Sequence, residues 1–437
     1  MHKQRFVILG NGGAALSAIS AARGAGYTGE IHLISETDEA AYNPMLSPYY
    51  FKGKVPWDGC FPFGSSFYRD HDITCHFGVP VASLAAREQR VTLDDGRSLA
   101  YDRCLIATGA APVVPPVPGL RESPRALTLR SSATVRKMEA AMQNARRALV
   151  LGASLVGIEM AEVLTKRGVE VVLLDVVDQV LPRGTHPSIA AFLRRFLEGH
   201  GVDVRLGCGM EGMEGGKDGG VVCHFAGDVI EEADLVVVST GVRSSLAFVS
   251  REEVKVELGV LTDERMRTNV ENLYAAGDAS QALNLISGRQ DWMGTWGSAC
   301  YQGQVAGLGM AGKEAFFQGM LPENISPVFE WNYANIGDIQ PKEGEVRHVA
   351  CGDPVRGGYS LLAFRDDILV GANLLNCTHL AGLVRRAILG KWRCVQTVPR
   401  GNGIGTEGDA KTILQECTTV PWIFHRSPAG ALAGYSW

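Results

Sequence analysis

Apolar residues recur along the N-terminal part of the chain in an order that predicts alternating strands and helices. The apolar run "RFVILG" is typical of a buried strand; glycines and an Ala-rich helical segment follow it, and then comes a second strand, "EIHLISE". The same order returns in "RRALVLGASLVGIEMAEVLTKRGVEVVLLDV". This duplication predicts an α/β protein with two Rossmann-like dinucleotide-binding domains, one opening at Gly10 and the other at Gly152.

The pattern changes outside these two units. The segment "REQRVTLDDGRSLAYDRCLIATGA" alternates as a hairpin does and ends in a buried strand, and a proline-rich connector, "APVVPPVPG", precedes the second unit. From about Ile325 to Arg393 the alternation predicts antiparallel strands, and "HLAGLVRRAILGKW" predicts one amphipathic helix. We therefore expect an α+β domain at the C-terminal end.

Composition limits the class of partner and the compartment. Of the 437 residues, 46% are hydrophobic and 20% charged, and the formal net charge is -5, which disfavours a nucleic-acid or anionic-membrane surface. No run of about 18 apolar residues predicts a membrane span, and the N-terminal segment does not have the pattern of a signal peptide. These features predict a cytoplasmic protein.

The 10 cysteines are scattered, and none forms a C-x-x-C pair. Metal and iron–sulfur sites usually require such clusters. We therefore predict no metal site in this chain and expect reduced, mostly buried thiols.

The first glycine turn has the features of a pyrophosphate-binding turn. Gly10 permits the tight turn after the strand, and Gly12 allows the backbone to approach a pyrophosphate at the helix N-terminus. Ala15 stands where a third glycine is common, and its small side chain suits helix–strand packing. Glu36 follows the second strand, where a carboxylate accepts hydrogen bonds from ribose hydroxyls.

The second glycine turn repeats this arrangement with one substitution. Gly152 and Gly157 keep their places, while Ser154 replaces the central glycine. Asp175 ends the next strand, and no arginine follows it closely. A carboxylate there favours a free ribose 2′-hydroxyl over a 2′-phosphate, so the turn predicts NADH rather than NADPH.

These segments together resemble a known family, the FAD-dependent pyridine nucleotide oxidoreductases with two dinucleotide-binding domains. The matching pieces are "GNGGAA", "LIATGAAP", "GASLVGIE", "STGVR", "ERMRTNVENLYAAGD" and "WGSACYQGQVAGLGMAG", and they run in the family's order. The resemblance implies FAD at the first glycine turn and NAD(H) at the second, with the FAD domain interrupted by the NAD domain.

The resemblance also implies roles for residues outside the glycine turns. Five are expected to lie beside FAD: Thr108, Gly109, Arg130, Asp278 and Trp296. Three are expected near the nicotinamide: Glu159, Thr240 and Gly241. Of these, Glu159 is the residue for which the resemblance implies a catalytic role.

Domain limits follow from the same resemblance. Residues 1–117 and 246–324 are expected to form the two parts of the FAD domain, 118–245 the NAD domain, 325–395 a C-terminal interface or dimerisation domain, and 396–437 a tail. Because the tail is rich in glycine and proline yet contains aromatic residues, we expect it to pack on a partner chain.

One stretch, "AYNPMLSPYYFKG" (residues 41–53), decides the branch within the family. Branches that reduce disulfides or peroxides carry redox-active cysteines in this region, whereas this chain has no cysteine before Cys60. "PMLS" is similar to the segment of rubredoxin and ferredoxin reductases and of the flavin part of nitrite reductase. The longer "YNPMLSPYYFKGKVP" is similar to the flavin subunits of anaerobic complexes such as phenylglyoxylate dehydrogenase and tungsten aldehyde oxidoreductase.

The stretch departs from its relatives at Asn43 and Pro48. Many relatives carry arginine or lysine at these places, and the resemblance implies an ion pair between such a residue and Glu159. In this chain Lys52 or Lys54 is the candidate replacement.

The resemblance implies hydride exchange between NAD(H) and FAD and transfer of single electrons to or from an iron–sulfur protein or subunit. The chain would then be an oligomer or the NAD-linked flavin subunit of a larger complex. Two alternatives stay open from the sequence. One is an NADH oxidase or a peroxide or persulfide reductase that uses a cysteine such as Cys60, in the loop-like "DGCFPFG". The other is a non-enzymatic flavoprotein scaffold that responds to NADH.

Overall fold

The computed structural model describes residues 4–342, 344, 346–353, 358–393 and 418–419, and it divides into two compact units between Asn335 and Ile336. The helices are α1 (Gly13–Gly24), α2 (Ser47–Phe51), α3 (Phe67–Asp70), α4 (Ser132–Met142), α5 (Leu155–Lys166), α6 (Pro187–Gly199), α7 (Trp296–Met310) and α8 (Ala381–Leu389). The strands are β1 (Arg5–Leu9), β2 (Glu30–Ile34), β3 (Ile73–His76), β4 (Val81–Ala85), β5 (Arg90–Leu93), β6 (Ser98–Ala100), β7 (Arg103–Ile106), β8 (Ala110–Pro112), β9 (Ala126–Leu127), β10 (Arg147–Leu151), β11 (Glu170–Asp175), β12 (Val202–Leu206), β13 (Met210–Gly215), β14 (Val221–Phe225), β15 (Val229–Ala233), β16 (Leu235–Val238), β17 (Val242–Ser244), β18 (Val260–Leu261), β19 (Leu273–Ala275), β20 (Ser280–Leu283), β21 (Gln290–Asp291), β22 (Glu323–Val328), β23 (Trp331–Gly337), β24 (Val346–Asp353), β25 (Gly358–Arg365), β26 (Ile368–Leu375), β27 (Trp392–Arg393) and β28 (Thr418–Thr419).

The first parallel sheet of the larger unit combines strands from distant parts of the chain. Its order is β19–β7–β1–β2–β3, and each neighbouring pair is parallel. Strand β1 is apolar from Phe6 to Leu9 because this part is buried on both faces: Phe6 and Ile8 belong to one core, and Val7 and Leu9 to the other. In the chain, β19 comes after all the strands of the second sheet, yet it pairs in the first sheet.

The second parallel sheet repeats the arrangement, with the order β12–β11–β10–β16–β9. Strand β10 pairs in register with β11 from Arg147 to Leu151. The two sheets confirm the α/β class predicted from the duplicated pattern. The domain limits drawn from the sequence remain predictions.

Helices α1 and α7 pack together at backbone distance beside the first sheet. A Cβ built at Gly303 would lie 2.1 Å from the carbonyl oxygen of Ala14, and one at Gly307 would lie 2.0 Å from that of Ala18. Glycines on α7 and alanines on α1 therefore let the two helices approach closely. This contact fixes α1, which begins at the first glycine turn, against α7.

We expect Gly307→Ala to destabilise the protein by about 1–3 kcal/mol, because the added methyl group must push the two helices apart. Gly297→Ala on the same helix is the matched control, since a Cβ there meets nothing within 4 Å. The control should be neutral or stabilising by about 0.4–1 kcal/mol. Urea unfolding of both variants measures the difference, and equal effects would contradict the packing argument.

The smaller unit contains the antiparallel meander β24–β25–β26, followed by α8. The antiparallel strands expected in this region are present. The predicted helix is shorter than its pattern, because a 3₁₀ turn occupies Thr378–Leu380 and the helix ends at Leu389. The predicted tail lies outside the described residues, apart from β28.

The hairpin predicted before the proline-rich connector is also present, because β5 and β6 pair antiparallel. None of the described helices has the length and apolarity needed to cross a membrane. Within the same described residues, no group of three or more His, Cys, Asp or Glu side chains is arranged to hold a metal ion.

Candidate active site

The first glycine turn lies where β1 and β7 end side by side. Gly10 has a φ of 111°, and a Cβ built there would lie 2.2 Å from the Ala107 carbonyl oxygen, so only glycine fits. Gly12 is the N-cap of α1, has no side-chain cap, and a Cβ there would meet nothing within 4 Å. Ala15 is fully buried in the first turn of α1. The open space and uncapped helix start fit a pyrophosphate.

Glu36 follows β2, the strand that lies beside this turn. The Gly10 N–H donates to the carbonyl oxygen of Ile34, the last residue of β2, at 2.8 Å, and Glu36 follows two residues later with an exposed side chain. Its place fits the predicted contact with ribose. A neighbouring link escaped the sequence analysis: the Asn11 amide donates to the Glu39 carbonyl oxygen at 2.9 Å and holds this loop on the glycine turn.

Two residues implied by the resemblance form an ion pair next to this turn. Arg130 Nη2 lies 2.6 Å from Asp278 Oδ2, and Arg130 Nε donates to the Ala110 carbonyl oxygen at 2.8 Å. The Thr108 hydroxyl is engaged with backbone instead, and Gly109 turns with a φ of 68° beside the Arg130 guanidinium. The ion pair thus holds a hydrogen-bond donor, the Arg130 guanidinium, and an acceptor, the Asp278 carboxylate, in positions where each could bind a sugar hydroxyl.

The stretch of residues 41–53 meets the start of α7 at Trp296. The backbone N–H of Trp296 donates to Met45 Sδ at 3.3 Å. A Cβ built at Gly13 would lie 3.0 Å from the Trp296 ring. Met45, Trp296 and the first glycine turn are therefore brought together, although the sequence analysis assigned no role to Met45.

The second glycine turn lies where β10 and β16 end. Gly152 has a φ of 100°, and a Cβ there would lie 2.6 Å from the Ser239 carbonyl oxygen and 3.1 Å from Thr240 Cα. A Cβ at Gly157 would lie 2.0 Å from the Gly152 carbonyl oxygen. The Thr240 hydroxyl donates to the Val113 carbonyl oxygen at 2.6 Å. Gly241, with a φ of 109°, faces open space.

Ser154 has a role that its place in the glycine motif did not indicate. It is the N-cap of α5, where its Oγ accepts from the Gly157 N–H at 3.2 Å and donates to the Ser239 carbonyl oxygen at 2.9 Å. The serine therefore compensates for the missing glycine by capping the helix that starts at the turn.

We expect Ser154→Ala to cost about 1 kcal/mol of stability through loss of the cap, and to raise the KM for NADH because the turn loosens. Ser154→Gly restores the ordinary motif and should cost only a few tenths of a kcal/mol. Thermal unfolding and NADH kinetics of the two variants provide the comparison. A larger loss in the glycine variant would contradict the capping role.

Asp175 is oriented by the backbone at the mouth of the second turn. Its Oδ2 accepts from the Ala153 N–H at 2.7 Å and its Oδ1 accepts from the Val177 N–H at 2.9 Å. The carboxylate is therefore fixed beside the turn, where it fits a ribose diol. Val176 next to it is 74% exposed and supplies no positive charge for a phosphate.

The departures at Asn43 and Pro48 have a structural reason. Asn43 is buried and caps the 3₁₀ turn Pro44–Leu46, accepting from the Met45 N–H at 3.1 Å. Pro48 occupies the first turn of α2, where its fixed φ favours helix. Both positions shape the backbone, so neither is available for a basic side chain.

The cation of this stretch comes from Lys52, at the C-cap of α2. Lys52 Nζ lies 2.7 Å from Glu162 Oε2, and both side chains are almost fully buried. Lys54 is exposed. The expected replacement is thus Lys52, but its partner is Glu162 rather than Glu159.

Glu159 lies one turn earlier on α5, in a different environment. It is 6% exposed and accepts a hydrogen bond from the Ser326 hydroxyl. Burial raises the pKa of Glu159 above its usual range. For Glu162, burial acts in the same direction, but hydrogen bonds from Lys166 and Lys52 outweigh it and lower the pKa.

A family model described as "Pyridine nucleotide-disulphide oxidoreductase" matches residues 4–303. The chain belongs to this family. It is a flavin-dependent oxidoreductase whose cofactors are FAD and NAD(H).

Relatives of this pyridine nucleotide-disulphide oxidoreductase have names that describe different reactions. The epsilon subunit of NADH-dependent phenylglyoxylate dehydrogenase from Aromatoleum evansii is 30% identical over 401 residues, covering 88% of this chain and 94% of that protein. An NADH oxidase from Methanocaldococcus jannaschii is 28% identical over 342 residues, covering 76% of each. The putidaredoxin reductase of a covalent complex with putidaredoxin shares the fold, with a TM-score of 0.82 at 24% identity, covering 90% of this chain and 94% of that one.

Within the described ranges, the first 300 residues show no disulfide of the kind for which the family is named. Six cysteines in the described part of the chain are free thiols that are buried or half-buried: Cys60, Cys75, Cys104, Cys208, Cys223 and Cys300. Cys60, in the segment that the sequence indicates to be loop-like, is 0% exposed, and burial raises the pKa of its thiol. Residues 57–60 form a 3₁₀ turn rather than an open loop, and the ring of Trp57 contacts those of Tyr42 and Phe61.

Proposed function

We propose that this protein is an NADH:acceptor oxidoreductase that passes electrons from FAD to an iron–sulfur protein or subunit without a protein disulfide. The observation that supports it most is the structure of residues 41–53. There, two short helices fill the place of the redox-active cysteines with capping and ion-pairing side chains. When bound, FAD accepts a hydride from NADH and releases the electrons singly, and this chemistry is the cofactor's own.

The protein's residues orient and select the cofactors. In this proposal Gly10, Gly12 and the start of α1 bind the FAD pyrophosphate, and Glu36 binds its ribose. The Arg130–Asp278 pair and Trp296 lie along the rest of FAD, with Ala15, Thr108 and Gly109 shaping the backbone around it. The second turn, built from Gly152, Ser154, Gly157, Thr240 and Gly241, binds NADH, and Asp175 accepts from its ribose hydroxyls.

Membership of a larger complex is supported by the relative of similar length. The phenylglyoxylate dehydrogenase protein is named as a subunit, and the alignment covers nearly all of it. The chain would then connect NAD(H) with iron–sulfur centres held by other subunits, and the C-terminal unit would dock them.

A second candidate, an NADH oxidase, is supported by the Methanocaldococcus relative. Anaerobic assays with FAD-loaded protein, NADH and a bacterial ferredoxin or rubredoxin separate the two. We expect the iron protein to be reduced at about 1–1000 per second, with oxygen consumption far slower in a parallel aerobic assay. Faster turnover with oxygen, peroxide or a persulfide than with any iron protein would contradict the proposal.

A further inference from the structure

Two buried carboxyl groups lie one turn apart on α5, between the two predicted cofactor sites. Glu159 and Glu162 are 6% and 2% exposed. Helix α5 begins at the second glycine turn. Helix α2, which packs on it, belongs to the stretch whose Met45 contacts the Trp296 backbone. The carboxyl pair therefore lies where the NAD(H) and FAD sites approach each other.

The two carboxyl groups have different partners. Glu162 binds two ammonium groups, those of Lys52 and Lys166, each at 2.7 Å. Glu159 is bonded to the neutral hydroxyl of Ser326, and no lysine or arginine in the described ranges forms an ion pair with it. The stretch's buried cation is thus committed to Glu162.

We propose that Glu159 is the carboxyl group of this site that binds and releases a proton during turnover, and that Lys52 is a positioning residue held by Glu162. The inference rests on the proposed function, because it assigns Glu159 to the reaction between NADH and FAD. Paired carboxyl groups in unlike environments commonly divide acid–base roles in this way. Glu162 is the permanent anion, and Glu159 is the group that changes charge.

Four groups in the described part of the chain act on Glu159 or lie beside it on the elements packed around it. Helix α2 contributes Lys52 and Tyr49, α5 contributes Glu162, and β22 contributes the Ser326 hydroxyl. Burial raises the pKa of Glu159, the Ser326 bond and the charge of Lys52 lower it, and the charge of Glu162 raises it. These opposing influences predict the direction of each variant below.

The proposed step balances charge with one proton. A hydride added to bound FAD would bring one negative charge into the site, and its hydrogen would leave as a proton once both electrons had passed to the acceptor. The Glu159 carboxylate takes one proton from solvent, forming an O–H bond, and so offsets that charge. It returns the proton to solvent when the electrons leave for the acceptor.

The test follows the carboxylic acid itself rather than turnover. Infrared titration of the FAD-loaded protein without NADH records the carbonyl stretch of a protonated carboxyl group as a function of pH. We expect one such band to titrate with a midpoint pH above the range that is usual for carboxyl groups. This band should be absent in Glu159→Gln. Retention of that band in Glu159→Gln would overturn the assignment.

Three further variants separate positioning from structure. Lys52→Met should raise the midpoint pH of the Glu159 infrared titration by about one pH unit, because a nearby positive charge is lost. Glu162→Gln should move it downward, because a negative charge is lost and the Lys52 charge is no longer neutralised. Lys52→Arg should keep the midpoint close to that of the unmodified protein, and the exposed control Lys54→Met should not move it. Shifts of the same sign in Lys52→Met and Glu162→Gln would contradict the proposal.

The kinetic arm ties the carboxyl group to the reaction. In stopped flow, the rate of flavin bleaching by NADH should change with pH, with the same midpoint as the infrared titration. In Glu159→Gln this pH dependence should disappear. A titrating Glu159 with a pH-independent bleaching rate would overturn the proton role while leaving the proposed function intact. Failure of NADH to bleach the flavin at any pH would instead overturn the proposed function.

Discussion

Replacing Lys52 with methionine should lower the free energy of unfolding by about 3–5 kcal/mol, because it leaves the buried carboxylate of Glu162 without its buried cation. Glu162 has 2% side-chain exposure and Lys52 has 6%, so water cannot replace the lost partner. The second cation, Lys166, is 55% exposed and is a weaker substitute. Urea unfolding at neutral pH measures the loss.

The matched control for this variant is Lys54→Met, two residues further along the same stretch and exposed. It should change stability by less than about 0.5 kcal/mol. The loss in Lys52→Met should also shrink as the pH falls. The lowered pKa of Glu162 stabilises the fold above the usual carboxyl range, and that contribution disappears as the group is protonated. A loss that stays constant down to acid pH would contradict the ion-pair explanation.

Replacing Asp175 with alanine should reduce kcat/KM for NADH by roughly 10–100-fold, because hydrogen bonds to a charged group contribute about 1.5–3 kcal/mol. The same change should raise the relative use of NADPH, since the carboxylate no longer repels a 2′-phosphate. Steady-state kinetics with both coenzymes give the ratio directly. The ratio matters more than either rate, because Asp175 also accepts from two backbone N–H groups and its loss loosens the turn.

Asp178→Ala is the control, since this exposed carboxylate lies three residues beyond Asp175 on the same loop. It should leave the NADH to NADPH ratio unchanged. An unchanged ratio in Asp175→Ala, or an equal change in both variants, would show that this carboxylate does not select the coenzyme.

The parts of the site that depend on local sequence were predictable. Gly10 and Gly152 each follow an apolar strand and precede a helix, and their positive φ values and close backbone contacts leave no room for another residue. Ser154 could also have been recognised, because serine at the start of a helical pattern is a strong N-cap signal. Its reading as a weakened glycine motif concealed that role.

The parts that depend on packing could not be read from the sequence. Lys52 and Glu162 are 110 residues apart, and the choice of Glu162 over Glu159 depends on which turn of α5 faces the end of α2. The segment around Cys60 was predicted to be loop-like, and it contains glycine and proline. The Cys60 side chain is fully buried instead, and so short a segment has no periodic pattern that could predict its burial.

Anaerobic titration of the FAD-loaded protein with NADH tests most directly whether electrons leave the flavin without a protein disulfide. A hydride carries two electrons, so FAD alone takes up about one equivalent of NADH. A redox-active cysteine pair would take up a further equivalent. We predict complete flavin bleaching at about one equivalent per FAD, with the electrons then recovered in an added ferredoxin or rubredoxin. Uptake of about two equivalents, with new free thiols appearing, would contradict the account.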